Sequence, residues 1–242
     1  MGVDVRRSGE RFLTVADGLE TRHSFSFGRH YDPADTSFGL LLACNEDRVA
    51  PGAGYDRHPH RDLEIVTWVL DGALTHRDDA GAAAVVRPGG AQRLSAGRGV
   101  AHSERNDGDV PAHFVQMWLA PDTPDAEPGH AAADLTAALA GGGPVAVAAG
   151  GGRPAALTLR QRDAVLWAAR PAAGSDLALP DAAFVHVLVT RGAVALPDGT
   201  ALAAGDAVRL TGGGGPSLGR PALGVPADGA EVLVWEMARA LA

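Results

Sequence analysis

A chain of 242 residues with 46% apolar and 21% charged residues is long enough for one large or two small domains, each with its own core. Its formal charge of −8, from 29 acidic and 21 basic residues that are all arginine, argues against nucleic-acid and anionic-membrane binding, which reward clustered positive charge. The lone Cys44 excludes an intrachain disulfide, and no run approaches the ~18 apolar residues of a membrane helix. The opening MGVDVRRSGE lacks a signal-peptide core, so a cytoplasmic protein is expected.

Abundant glycine (32) and proline (16) favour many short strands joined by turns over long helices. Residues 64–70 (EIVTWVL) predict a strand that ends at the Asp71-Gly72 turn dipeptide. A second strand over 83–87 runs into Pro88-Gly89-Gly90, and 113–119 (HFVQMWL) is a third. From Pro121 the texture changes to Pro-, Ala- and Gly-rich stretches, which places a domain junction between Pro121 and Gly143. Residues 134–140 (DLTAALA) predict a helical turn or two, stopped by the glycines. Beyond it, 185–196 (VHVLVTRGAVAL) echoes 66–76 (VTWVLDGALTH), and 203–210 (AAGDAVRL) echoes 87–94 (RPGGAQRL). An offset near half the chain length predicts a duplicated all-β unit, with domains over 1–130 and 131–242.

The chemistry concentrates in the first half, which holds seven of the nine histidines. His58-Pro59-His60 places two imidazoles on one strand face, because side chains two apart point the same way. His102-Ser103-Glu104 does the same for an imidazole and a carboxylate. Two such strands side by side would converge three imidazoles and a carboxylate, a donor set suited to a divalent transition metal. If the first strand continues without a bulge, Asp62, Glu64, Val66 and Trp68 share its face; Glu64 is then a second carboxylate near the metal and Trp68 a cavity wall. Glu64 also fits the spacing H-x-H-x3-E. His23, His30, His76 and His113 read as core or surface residues, with His113 the candidate for contact behind the ligands. At an offset of 120, Ala178, Pro180 and Phe184 stand where His58, His60 and Glu64 stand, so the second half is expected to be metal-free, with His186 structural.

The stretch HPHRDLEIVTWVLDGALTHRDDAG, with RPGGAQRLSAGRGVAHSERN and HFVQMWLAP after it, resembles the pirin family of bicupins, as do 23–33 (HSFSFGRHYDP) and 41–60. The likeness is dense from His23 to Pro121 and thinner beyond. It implies two cupin (jelly-roll type) β-barrels packed face to face with little helix. It also implies one metal in the first barrel, with His58, His60, His102 and Glu104 as ligands. Iron is the first choice; nickel, manganese, copper, cobalt or zinc suit the same donors. The activity implied is a dioxygenase that opens flavonols such as quercetin with O2, with Glu104, and Glu64 as its deputy, taking the substrate's proton. The alternative is an iron-dependent redox- or metal-sensing regulator that binds a protein partner. A monomer is expected. Where the family usually reads Pro-Gly-Asp, this chain has Pro88-Gly89-Gly90, and His76-Arg77-Asp78-Asp79-Ala80-Gly81 departs from H-x-D-S-x-G; neither change touches an expected ligand.

Overall fold

The computed structural model describes residues 2–213, 222–226 and 229–241. Among them helix is confined to a short turn at Ser8–Glu10 and to Thr136–Leu139, inside the stretch expected to turn helically. All else that is regular is β, as the glycine and proline content predicts. Among the described residues no helix is long and apolar enough to cross a membrane.

The first half is a sandwich of two antiparallel sheets. A seven-stranded sheet runs in the order Gly129–Asp134, Gly90–Ser95, Glu64–Asp71, Ala112–Leu119, Leu41–Val49, Leu19–His23, Phe12–Ala16. A four-stranded sheet runs Gly54–His60, Val100–Arg105, Leu74–Asp78, Ala83–Val86. Val49, Val69, Ala112 and Phe114 of the larger sheet pack on Leu74 and Val86 of the smaller one, and Ile65 and Leu94 pack with Val100. Burying these side chains between the sheets is what holds the sandwich closed.

A ten-stranded sheet carries the second half, with the path Gly2–Arg6, Ala207–Thr211, Phe184–Ala195, Ala230–Met237, Ala164–Ala169, Val145–Ala149, Leu157–Thr158. Its inner face holds Val185, Val187, Val189, Val208, Val232 and Val234. Its other face meets the seven-stranded sheet. Val66, Trp68, Leu70, Val115, Met117 and Leu119 from the first half pack there with Leu166, Leu188, Leu233, Trp235 and Met237 from the second. Strands 64–71 and 112–119 are therefore buried on both faces, which is why they read as continuous apolar runs rather than as alternation.

The internal echo corresponds to shared backbone geometry. Gly72 and Gly192 both adopt positive φ, 69° and 67°. A Cβ at Gly72 would lie 2.5 Å from the Pro111 carbonyl oxygen, and one at Gly192 2.2 Å from that of Gly229, so both turns exclude any side chain. Two strands cross the expected boundary. Gly2–Arg6 pairs with Ala207–Thr211, and Gly129–Asp134, which contains the 130/131 junction, pairs with Gly90–Ser95.

Candidate metal centre

The two histidine-bearing strands are antiparallel neighbours in the four-stranded sheet. His102 sits opposite His58 and Val100 opposite His60, and a bulge follows between His102 and Glu104. Their alternation turns the three imidazoles into the sandwich, with ring centroids 4.6 Å apart for His58–His102, 4.8 Å for His58–His60 and 5.1 Å for His60–His102. One ring nitrogen from each of the three lies within 4.8 Å of the others. On the other side of His102 a second group of the same closeness joins His76, His102 and Glu104. His76 stands opposite Glu104 in the next strand.

The donors are held in the state a metal needs. His58 Nδ1 lies 2.7 Å from the Asp56 carbonyl oxygen. A carbonyl only accepts, so the Nδ1 proton is donated there and the Nε2 lone pair is free. Burial pushes His60 down to about 4, helped by His58. Burial, with His58, His60 and His76, pushes His102 down to about 3. Both rings are neutral at pH 7. The Nε2 atoms of His60 and His102 are buried and have no hydrogen-bond partner. A buried polar atom left unpaired costs about 1–3 kcal/mol, so two of them facing a shared point call for a common ligand. The donor set fits a divalent transition metal.

Glu104 is fully enclosed, and burial raises it to about 7 against the opposing pull of the Gln116 and Gln92 amides. Gln92 Nε2 donates to one carboxylate oxygen and Gln116 Nε2 to the other, both at 2.6 Å. Gln116 in turn accepts from Trp118 Nε1 at 2.9 Å, and the Trp118 ring meets His60 edge-on at 5.0 Å. Phe27 packs edge-on against Trp118 at 5.1 Å. His76 Nε2 lies 3.0 Å from Asp78 Oδ2, and the ring stacks on His130 at 4.0 Å.

Of the expected site residues, His58, His60 and His102 form one group, and Glu104 joins His102 with His76. Glu64 is placed elsewhere. The strand that carries His58 and His60 stops at His60; Asp62 takes positive φ, 50°, and the chain crosses to the other sheet before Glu64. That break cancels the shared facing. Glu64 accepts the Arg160 backbone amide at 3.0 Å and belongs to neither group. Trp68 is likewise no cavity wall, but is buried between the halves and donates Nε1 to Glu231 at 3.1 Å. His113 lies against Glu46 at 2.8 Å instead of behind the ligands. The residues passed over are Gln92, Gln116 and His130; His76, expected as a core or surface residue, is buried in the second group, and Trp118 lies beside His60. The signal for Gln116 was present, since it is the one amide in the apolar run HFVQMWL and a buried amide demands partners.

The pirin profile matches residues 3–119. A Mycobacterium tuberculosis protein named "Putative quercetin 2,3-dioxygenase" is 47% identical over 97% of this chain and 95% of its own length. The Escherichia coli K12 protein named quercetin 2,3-dioxygenase is 38% identical over 49% of this chain and 52% of its own length. The crystal structure of bacterial pirin YhhW from Escherichia coli in complex with nickel(II) superposes with a TM-score of 0.88 at 26% identity, covering 98% of this chain and all of that one.

Proposed function

The chain belongs to the pirin family, and from that premise we propose that it is a metal-dependent dioxygenase that cleaves flavonols such as quercetin with O2. The observation that carries the reading is the trio of convergent imidazoles, two of them with buried, unpartnered Nε2 atoms. His58, His60 and His102 would hold the metal, with Glu104 as the fourth ligand and iron as the first choice. Bound there, such a metal supplies Lewis acidity toward an enolic hydroxyl and a redox partner for O2.

The chain's own residues do the rest. The Asp56 carbonyl fixes the His58 tautomer. Trp118 and Phe27 form an aromatic wall beside His60 that would suit a flat ring system. Glu104, the enclosed acid beside His102 and His76, would be the group to accept the substrate hydroxyl proton. Gln92 and Gln116 hold both of its oxygens, so its aim is set before substrate arrives. Glu64 takes no part in this scheme, because its carboxylate is committed to the Arg160 amide.

The test is oxygen consumption with quercetin by protein reconstituted with ferrous iron, alongside the His58→Ala/His60→Ala double variant. Uptake by the wild type, and at least about 100-fold less by the variant, is expected, since positioning and charge stabilisation both depend on the centre. Metal-loaded wild type that consumes no oxygen sinks the proposal.

A further inference from the structure

His102 belongs to both groups of convergent donors, and its two ring nitrogens meet different surroundings. Nε2 is buried without a hydrogen-bond partner, whereas Nδ1 lies 3.4 Å from Nδ1 of His76. A neutral imidazole carries one proton and has two places for it. Only with that proton on Nδ1 does Nε2 offer a lone pair to a metal.

His76 differs from His60 and His102 in that neither of its nitrogens is left over. Nδ1 meets His102, and Nε2 meets Asp78 Oδ2 at 3.0 Å, with both side chains buried. The other Asp78 oxygen, Oδ1, accepts the Ala82 backbone amide at 2.9 Å, so the carboxylate is itself fixed. A carboxylate only accepts; Asp78 therefore holds the His76 proton on Nε2 and leaves the Nδ1 lone pair toward His102. The His76 ring lies face to face with His130 at 4.0 Å. His130 Nε2 in turn lies 3.1 Å from Oε1 of Gln92, whose amide nitrogen donates to Glu104.

We propose that His76 and Asp78 are positioning residues for the metal centre: His102 donates to His76 and His76 to Asp78, which keeps the His102 proton on Nδ1 and its Nε2 free for the ion. This role rests on the reading of His58, His60, His102 and Glu104 as that centre. The direction of the relay depends on a residue at 78 that cannot donate. In Asp78→Asn the Ala82 amide keeps the side-chain oxygen, and the new NH2 group faces His76. His76 then accepts at Nε2, carries its proton on Nδ1 and donates to His102, whose own proton moves to Nε2 and blocks the metal. An amide in place of the carboxylate imposes the same wrong tautomer in a Ser-His-Asp triad.

The test uses the full-length chain freed of metal by a chelator. Long-range proton–nitrogen NMR reads which nitrogen of each histidine is protonated, the His102 signals being those lost in His102→Gln. The wild type should carry the His102 proton on Nδ1, and Asp78→Asn should carry it on Nε2. Calorimetric titration with nickel(II) should show affinity at least about tenfold lower in Asp78→Asn, at a melting temperature close to that of the wild type. His76→Phe keeps a ring against His130 and loses the acceptor, and should weaken nickel binding similarly. Should Asp78→Asn fail to fold, the wild-type spectrum and His76→Phe decide. A wild-type His102 proton on Nε2, or nickel affinity unchanged in the variants, overturns the relay. Wild type that binds no nickel overturns the metal centre and this role with it. Nickel binding that weakens in the variants of a protein that consumes no oxygen supports the relay and sinks only the dioxygenase reading.

Discussion

One row of side chains separates the two halves of the molecule. In the first half Thr67 lies between Gln92 on one neighbouring strand and Gln116 on the other. In the second, Val187 lies between Val208 and Val234 in the same arrangement. The first row is polar because it clamps the carboxylate of Glu104; the second is three valines inside an apolar core. At the offset of 120, His58 and His60 are replaced by Ala178 and Pro180, which with Leu177, Leu179, Trp167 and Val234 line an apolar cavity of ≈ 250 Å³. The same strand pairing thus supports a polar, histidine-bearing cluster or a plain hydrophobic core, depending on a handful of inward positions. Function resides in the site and not in the fold.

The comparison can be broken most severely by making the first row resemble the second. Gln92→Val with Gln116→Val strips both donors from Glu104 and the acceptor from Trp118. A loss of about 4 kcal/mol by urea unfolding is expected, together with reduced metal content by elemental analysis. A variant as stable as the wild type would show that the clamp is not what sets the halves apart.

Next in size is Glu46→Gln. Although burial raises Glu46, the bonds and charges of His113 and Arg11 outweigh it and bring it down to about 2 from the ordinary 4.5. A carboxylate lowered on folding contributes stability above its unfolded pKa and loses it as pH falls through the folded one. The variant should therefore be about 3 kcal/mol less stable at pH 7, where it leaves Arg11 buried without its partner. The gap to wild type should begin to close below pH 4.5 and be nearly gone by pH 2, as followed by circular dichroism melts. A gap independent of pH would contradict the pairing.

Trp68→Phe removes a single bond across the halves, from Nε1 to Glu231, which still accepts from Thr190 and Arg170. A cost of about 1–2 kcal/mol is expected in the same unfolding assay. Glu64→Gln should do least. Burial raises this acid, so that the charged form is disfavoured in the fold, and glutamine keeps an acceptor for the Arg160 amide. Quercetin-dependent oxygen uptake within about twofold of wild type is expected, a change small on the scale of a lost catalytic group. A hundredfold loss would return Glu64 to the chemistry.

Much of this was legible in the chain. The two spaced pairs His58/His60 and His102/Glu104 announce convergence because strand periodicity is strict within a strand. The same rule misled beyond His60, since Asp62 turns the chain through a left-handed conformation with no glycine or proline to mark it. Trp68 was misplaced because a strand buried on both faces carries no alternation to say which face is which. Gln116 stood out as polar among apolar neighbours, but which acid it serves depends on a strand from the other sheet. His76 is adjacent to Glu104 only through strand pairing, which local sequence does not encode.

The edge strand Gly2–Arg6 closes the sheet of the second half by pairing with Ala207–Thr211, about two hundred residues downstream. During synthesis this ribbon must wait, unpaired, until nearly the whole chain has been made. Contacts so distant in sequence slow folding. They also make the protein a clasp: severing it near residue 130 would strip each part of an edge strand, so neither part is expected to fold alone as it does in the whole.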